Sequence, residues 1–372
     1  MKIQKVDVLL PTYSQYQVQH HFTRKLYEAF VRAGCETRLL DGTDRVMFPI
    51  LSHSDVTIAF NGGIKTEAGT LLCDHIKIPH ISCLVDPPYR FLELTKGAYS
   101  IITCDDQLGC SFLKDNGFNQ SFFMPHAVEP ELTFDPLQER IYDVVFLGTC
   151  IDCEARRALW KDKFPSAVCR VMDEAIEATF ADDITSFITI LASQLDPWMH
   201  HKVFEEVEIY VKGRERLDLL NAVHGCTVHV FGNNATNEKG WAELLVNNKN
   251  VVVHPSVSYN ESIEIMKQSK VVLNSSIKNK LGAHERIFTA AACGAVVVTN
   301  KNPYIADNFA HGIDMLLYSR TAMSGINDEV LDLLSDEKKR SQMAASGTKR
   351  VMQFHTWDCR VNTLLAYMST VR

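Results

Sequence analysis

Four basic side chains gather around the predicted start of one short helix. Lys278, Lys280, His284 and Arg286 lie at or just before a helix that the sequence predicts over residues 283–293. The first N–H groups of a helix have no partner within it, and the helix dipole places roughly half a positive charge at that end. Such an end favours a bound phosphate. The pattern therefore predicts a phosphate site, unless these cations are simply paired with acids or solvated.

The same helix lies between two predicted strands, over residues 270–274 and 295–300. Its small side chains at 290–292 allow it to pack closely on a sheet. In an open parallel sheet, ligands bind beyond the carboxyl ends of the strands. We therefore expect the start of this helix to face a binding site.

Short apolar strands alternate with amphipathic helical segments along the chain. Strands are predicted over residues 5–10, 37–40, 56–60, 79–85, 100–104, 121–124, 142–148, 227–232, 250–254, 270–274, 295–300 and 315–318. Such alternation predicts the α/β class, with parallel sheets covered on both faces. The pattern restarts at Tyr142 after a proline-containing connector, which indicates two Rossmann-like, doubly wound domains.

The predicted domain boundaries follow from that restart. Residues 1–135 form the N-terminal domain, residues 142–350 the C-terminal domain with a helical stretch over 154–222, and residues 351–372 a C-terminal helix. The length of 372 residues suits two domains, since one domain takes roughly 150 residues.

Composition and net charge exclude several classes of protein. The 38 Lys and Arg residues against 45 Asp and Glu residues give a net charge of −7, whereas general nucleic-acid binding needs a basic surface. The 11 cysteines without a repeating spacing are typical of a reduced, cytosolic protein. No apolar run reaches the ~18 residues of a membrane span, and the one at the start is too short for a signal peptide. We therefore expect a cytoplasmic protein without a transmembrane segment.

Motif spacing disfavours several other kinds of site. Cys150 and Cys153 form a single C-x-x-C pair, and a zinc site would need a second pair. Neither G-x-G-x-x-G nor the phosphate loop G-x-x-x-x-G-K-[ST] occurs in the chain. We expect no metal site, no classical dinucleotide site and no cofactor.

Several ordered segments resemble one family of enzymes. Arg286–Gly294 (RIFTAAACG) resembles the R-x-F-E-x-x-A-C-G signature of GT-B glycosyltransferases, in particular the spore-maturation (CgeB-like) group of the glycosyl transferases group 1 family. Ser269–Asn274 resembles the S-K-x-x-L-N strand of that group, and His355–Arg360 its H-T-x-x-x-R closing helix. Tyr142–Gly148 resembles the first strand of its second domain. The resemblance is good over the C-terminal half and loose over the N-terminal half.

The resemblance implies a fold and an activity. The fold would be GT-B, with two Rossmann-like domains facing across a cleft and the C-terminal helix crossing back onto the first. The activity would be metal-independent transfer of a sugar from a nucleotide-diphosphate sugar, held mainly by the second domain. The acceptor, a glycan, a protein or a small molecule, would lie mainly on the first. Basic side chains and the helix N-terminus would stabilise the diphosphate leaving group.

The resemblance also assigns residues to the donor. Arg286 would be catalytic, stabilising the leaving diphosphate together with the lysines. The donor-binding set would be Gly148, Thr149, Lys278, Lys280, Gly282, His284, Glu285 and Thr289.

One departure from the family pattern lies within its signature. The family has a glutamate, which holds the ribose hydroxyls, where this chain has Thr289. Glu285, one helical turn earlier on the same face, could replace it. Otherwise the donor is bound differently, or catalysis is weakened or lost.

Candidates on the first domain follow the ends of predicted strands. Asp86 is a candidate base for an acceptor hydroxyl, or it caps the segment before Pro87. His126 is a candidate catalytic residue near sugar or diphosphate, or a structural histidine. The segment Asn61-Gly62-Gly63 would let an acceptor approach the backbone closely, or it is only a turn.

Two other functions remain open at this point. A nucleotide-sugar epimerase on the same fold would convert the donor without an acceptor. A non-catalytic binding protein would keep the nucleotide-sugar site but carry out no transfer.

Overall fold

The computed structural model describes residues 3–41, 53–234 and 238–370. The chain divides into two compact units. The first comprises Met1–Glu131 together with Phe354–Arg372, and the second comprises Leu132–Gln353. The chain thus begins and ends in the same unit.

The first unit is built on a six-stranded parallel sheet in the order β2-β1-β3-β4-β5-β6. Its strands are β1 (Lys5–Leu10), β2 (Glu36–Asp41), β3 (Val56–Phe60), β4 (His80–Leu84), β5 (Ser100–Cys104) and β6 (Ser121–Phe123). Its helices are α1 (Val18–Arg32), α2 (Leu72–Ile76) and α3 (Gln107–Asp115), with short 3-10 turns at Gln15–Gln17, Pro88–Arg90 and Leu92–Lys96.

Helix α1 shows how the sequence pattern produces this packing. Phe22, Leu26 and Phe30 recur at helical spacing and are buried. The helix ends where Gly34 adopts a φ of +83°, a left-handed conformation that glycine accepts without steric cost. The amide of Gly34 then donates to the carbonyl of Val31 at 3.0 Å.

The C-terminal helix α15 (Trp357–Thr370) belongs to the first unit. The buried Trp357 ring packs at 5.7 Å from the ring of Phe22 and 5.8 Å from that of Phe60. Arg32 of α1 donates to the carboxylate of Asp358 at 2.6 Å. Aromatic packing and an ion pair therefore attach this helix to α1.

The second unit is built on another six-stranded parallel sheet, in the order β12-β11-β10-β7-β8-β9. Its strands are β7 (Tyr142–Leu147), β8 (Val228–Phe231), β9 (Val251–His254), β10 (Ser269–Leu273), β11 (Val296–Asn300) and β12 (Leu316–Tyr318). Every strand predicted from the apolar runs is present among the described residues, and the predicted α/β class is confirmed.

Helices cover this second sheet. The helical stretch contains α4 (Cys153–Ala158), α5 (Trp160–Lys163), α6 (Ser166–Ala181), α7 (Phe187–Gln194) and the long α8 (Pro197–Ala222). The others are α9 (Trp241–Leu244), α10 (Tyr259–Lys267), α11 (Glu285–Ala292), α12 (Pro303–Asn308), α13 (Ile326–Ser335) and α14 (Glu337–Phe354), with a 3-10 segment at Arg320–Gly325. In the described part of the chain, no helix has both the length and the apolar character needed to span a bilayer.

The strand order of the second sheet creates a switch point. Strand β7 pairs with β8 on one side and with β10 on the other, so the connections that leave β7 and β10 run in opposite directions across the sheet. In open parallel sheets the crevice for a ligand forms at such a point, beyond the carboxyl ends of the strands. The loops that follow β7 and β10 are therefore the first place to look for a site.

Candidate functional site

The N-terminus of α11 lies at the end of the loop that follows β10. The helix begins at Glu285 and ends at Ala292, close to the predicted 283–293. His284 caps it, because its Nδ1 accepts from the amide of Arg286 at 3.3 Å. Gly294 follows with a φ of +75°, which fits the predicted glycine stop.

Buried amide side chains hold the loop between β10 and α11. Asn302 donates through Nδ2 to the carbonyls of Asn279 at 2.7 Å and Gly282 at 3.0 Å. Asn300 accepts through Oδ1 from the amide and the hydroxyl of Ser276, at 3.0 and 2.9 Å. The loop is thus fixed by hydrogen bonds from β11 and the residues that follow it, and the start of α11 is preorganised.

Two guanidinium groups share this end of the sheet. Arg286 is on the first turn of α11, and Arg216 comes from α8. Arg216 donates through Nη1 to the carbonyl of Thr149 at 2.6 Å, which places it beside the loop after β7. Burial, and then the positive charge of Arg286, lower the pKa of Arg216 to about 10. Two positively charged groups that repel each other at a switch point form a site suited to an anion.

The sequence analysis did not identify Arg216. The residue lies in the helical stretch, about 70 positions before Arg286, and no local motif marks it. Its position on the helix immediately before β8 is the only signal, because such a helix must pack on the sheet near the switch point.

The two predicted lysines have different surroundings. Lys278 Nζ is 4.0 Å from the Oε1 of the buried Glu208. Lys280 is only 2% exposed, and its Nζ donates to the carbonyls of Thr179 at 3.0 Å and Asp182 at 3.2 Å. Lys280 therefore attaches the loop to the end of α6, and this corrects its assignment to the diphosphate. Burial lowers the pKa of its ammonium group.

Gly148 and Thr149 form the loop after β7. The Gly148 carbonyl accepts from the Trp241 indole Nε1 at 3.2 Å, and its amide donates to the Phe231 carbonyl at 2.9 Å. A Cβ on Gly232 would lie 1.9 Å from the Gly148 oxygen. The backbone after β8 can therefore come this close to the backbone after β7 only because residue 232 is a glycine. The loop is thereby held close to Arg216.

Glu285 and Thr289, the two candidates for the ribose, are both buried. The Glu285 carboxylate contacts His284 and lies 3.7 Å from Nη2 of Arg286. The Thr289 hydroxyl donates to the Glu285 carbonyl at 3.2 Å and lies 3.2 Å from the Tyr259 hydroxyl. A tyrosine hydroxyl thus lies next to the position where the family signature has its glutamate.

The candidates of the first unit lie beyond the carboxyl ends of β3, β4 and β6. Asn61, with a φ of +50°, donates through Nδ2 to Asp86 Oδ2 at 2.7 Å and accepts from the Val85 amide at 2.9 Å. This side chain therefore joins the ends of β3 and β4. It also orients the carboxylate of Asp86.

A buried histidine, His80, contacts the Gly62-Gly63 segment. His80 Nε2 lies 2.8 Å from the Gly62 carbonyl, and its Nδ1 lies 2.8 Å from the Thr57 hydroxyl. Burial lowers the pKa of His80. A Cβ on Gly63 would lie 3.3 Å from the His80 ring, so the glycine allows this support.

His126 is paired with a residue that the sequence analysis did not identify. Its Nε2 lies 3.5 Å from Oδ2 of Asp105, which follows β5, and both side chains are largely buried. A carboxylate beside an imidazole orients the ring.

Within the described residues, no group of three or more His, Cys, Asp or Glu side chains is placed to hold a metal ion. Cys150 and Cys153 are buried, and burial raises the pKa of their thiols to about 12 and about 11. The C-x-x-C pair therefore consists of thiols that pack in the interior.

Part of the chain matches the model of a known protein family. Residues 214–366 match the family model described as glycosyl transferase-like. The matched segment is less than half of the chain. It includes Arg216, the loop after β10 and the whole of α11. No curated protein sequence matched the chain.

Several solved structures are similar to this chain over nearly its whole length. HepE from Anabaena, in complex with UDP and glucose, has a TM-score of 0.60 at 11% identity, covering 99% of this chain and 100% of that one. AviGT4, a glycosyltransferase involved in avilamycin A biosynthesis, has a TM-score of 0.59 at 13% identity, covering 98% and 97%.

A third similar structure contains DNA. An alpha-glucosyltransferase in complex with UDP and a 13-mer DNA containing an HMU base has a TM-score of 0.59 at 9% identity, covering 99% and 100%. At such low identities these similarities establish the fold alone. The fold is that of the GT-B glycosyltransferases, and the resemblance in the sequence is confirmed at this level.

Proposed function

We propose that this protein is a glycosyltransferase that takes a sugar from a nucleoside diphosphate sugar, with UDP as the leaving group. The pair Arg216 and Arg286 at the switch point of the second sheet carries this proposal. The charge of Arg286 helps to lower the pKa of Arg216, so the two guanidinium groups repel each other, and a bound anion would relieve this repulsion. A diphosphate supplies that anion, and Arg binds phosphate oxygens in a bidentate manner.

The donor site follows from the same geometry. Arg216, Arg286 and Lys278 bind the diphosphate together with the first amides of α11, while Gly148 and Thr149 lie on the other side of the switch point. Negative charge develops on the diphosphate as the glycosidic bond breaks. Fixed cations and amides stabilise this charge, and loss of one such group typically costs about 3 kcal/mol of barrier. These groups take the place that a divalent metal would have, so the reaction is metal-independent.

The ribose is bound without a glutamate at position 289. The buried hydroxyl groups of Thr289 and Tyr259 lie 3.2 Å apart, and Glu285 is held by its neighbours. The nucleoside is therefore recognised mainly by backbone groups around α10 and α11. The choice of UDP rests on the complexes of HepE and the DNA alpha-glucosyltransferase with UDP.

The acceptor is held mainly by the first unit. His126, oriented by Asp105, accepts the proton of the acceptor hydroxyl, while Asp86 and Asn61 contribute hydrogen bonds to the acceptor. The net charge of −7 argues against general nucleic-acid binding, and we propose a glycan, a protein or a small molecule as the acceptor.

Calorimetry with nucleotides tests the donor site. UDP is expected to bind, and GDP, ADP and dTDP provide the comparison for the base. If none of the four binds, the protein uses no nucleotide donor. The epimerase alternative is tested by incubating the protein with UDP-glucose without acceptor, because an epimerised sugar would replace transfer as the activity.

A further inference from the structure

One buried carboxylate accepts hydrogen bonds from the loop that follows β10. Glu215 precedes Arg216 on α8 and is only 1% exposed. Its Oε2 accepts from the Ser275 hydroxyl and from the Ile277 amide, both at 2.8 Å. Its Oε1 accepts from the Tyr318 hydroxyl at 3.1 Å. All these partners belong to the loop after β10 or to the end of β12.

Burial of a carboxylate is costly unless several donors compensate it. Here burial raises the pKa of Glu215, while the hydrogen bonds from Ile277, Ser275 and Tyr318 act in the opposite direction. A hydrophobic residue of similar size could fill the space at a lower desolvation cost, but it would leave the Ile277 amide without an acceptor. The carboxylate is thus specific for one conformation of the loop.

That conformation determines where the diphosphate groups lie. The loop continues from Ile277 directly into Lys278 and then into the capped start of α11. On the other side of Glu215 in the chain, Arg216 is bound to the loop after β7. Two consecutive residues of α8 therefore hold the two loops of the switch point.

We infer that Glu215 is a positioning residue of the donor site, which sets the loop 275–277 so that Lys278, Arg286 and the α11 amides converge on the diphosphate. This inference rests on the proposed function. It also assigns a role to the helical stretch 154–222, whose last helix holds the loops on which the site is built.

The test measures UDP affinity by calorimetry in Glu215→Leu and Glu215→Gln, on protein shown to be folded by its urea unfolding transition. Leucine removes every acceptor, so UDP binding should weaken on the order of tenfold or more, since hydrogen bonds to a charged group are involved. Glutamine keeps one oxygen acceptor and has nearly the same shape. It should bind UDP more tightly than the leucine variant.

A matched control separates positioning from general stability. Asp7 is also a buried carboxylate with a guanidinium and a hydroxyl partner, but it belongs to the first unit. Asp7→Asn should lower stability and leave UDP affinity within twofold of the wild type. If Glu215→Leu does not fold, Ser275→Ala and Tyr318→Phe each remove one hydrogen bond to Glu215, and each should weaken UDP severalfold.

The outcomes distinguish this inference from the proposed function. Wild-type protein that does not bind UDP contradicts the function itself. Wild-type protein that binds UDP, with folded Glu215→Leu binding equally well, overturns only the positioning role. Equal affinity in both Ser275→Ala and Tyr318→Phe overturns it as well.

Discussion

Replacement of Arg286 by glutamine removes one of the two guanidinium groups assigned to the diphosphate. Glutamine retains a polar end and fits a position that is partly exposed, with 19% of the arginine side chain accessible. The backbone amides of α11 are unchanged. The substitution therefore isolates the charge and the hydrogen bonds of one side chain.

The expected loss of affinity follows from hydrogen bonds between charged groups. These contribute about 1.5–3 kcal/mol each, and about 1.4 kcal/mol corresponds to tenfold in a dissociation constant. UDP should therefore bind about 10- to 100-fold more weakly to Arg286→Gln. Where transfer is measured, kcat/KM should fall by about 100-fold, because the charge on the diphosphate grows in the transition state.

Stability should change little in the same variant. Arg286 lies 3.7 Å from Oε1 of the buried Glu285, which is beyond hydrogen-bond distance, and the carboxylate keeps its contact with His284 when Arg286 is replaced. Loss of so long a pair should cost no more than about 1 kcal/mol. Loss of this pair is offset because Arg216 no longer has a second cation nearby. The free energy of unfolding should therefore stay within about 1 kcal/mol of the wild type.

The assay combines UDP calorimetry with urea unfolding, and Arg340→Gln is the control. Arg340 donates to the carbonyls of Leu333 and Leu334 at the end of α13, and it lines a different cavity beside the start of β10. Its replacement should leave UDP binding unchanged. Folded Arg286→Gln with wild-type affinity, or an equal loss in both variants, would refute the assignment of Arg286.

Three further predictions concern buried groups. Stability should fall by up to about 1.4 kcal/mol per pH unit as the pH drops below the ordinary His pKa, because the pKa of the buried His80 is lowered from 6.5 and the unfolded chain takes up the proton first. In His80→Gln the free energy of unfolding, measured in urea, should depend less on pH in that range. An unchanged pH dependence would contradict this. Gly232→Ala should destabilise the protein by about 3 kcal/mol or more, because its Cβ would overlap the Gly148 carbonyl. The control Gly240→Ala should be tolerated, since the atom nearest to its Cβ lies 3.7 Å away. Equal urea unfolding midpoints for the two variants would argue against the close approach of Gly232 to Gly148. Thr289→Glu should lower the melting temperature by burying a carboxylate; unchanged melting with tighter UDP binding would show that the family mode of ribose binding is accessible.

The sequence was a good guide to the elements. Runs such as Val296–Asn300 are apolar over a length that suits a buried strand, and Gly294 can adopt the positive φ that ends α11. These properties depend on residues that are adjacent in the chain, so they can be predicted from the sequence. The order of strands in each sheet depends on contacts between distant segments, and only the structure supplied it.

The candidate site was predicted only in part. The capped start of α11 with Arg286 beside it was visible because its residues are consecutive. The role of Lys280 was predicted incorrectly, since its partners, the Thr179 and Asp182 carbonyls, are about 100 positions away in the chain. A lysine near a helix start looks the same in a sequence whether it faces a ligand or caps another helix.

The sequence by itself thus determined the α/β class, two units built on parallel strands, and a helix end suited to phosphate. Tertiary structure decided which cations meet there, because Arg216 reaches the switch point only through the packing of α8 on the second sheet. It also decided the surroundings of Thr289, where Tyr259 lies within 3.2 Å. Local geometry depends on adjacent residues, whereas electrostatics and burial depend on which segments the fold brings together.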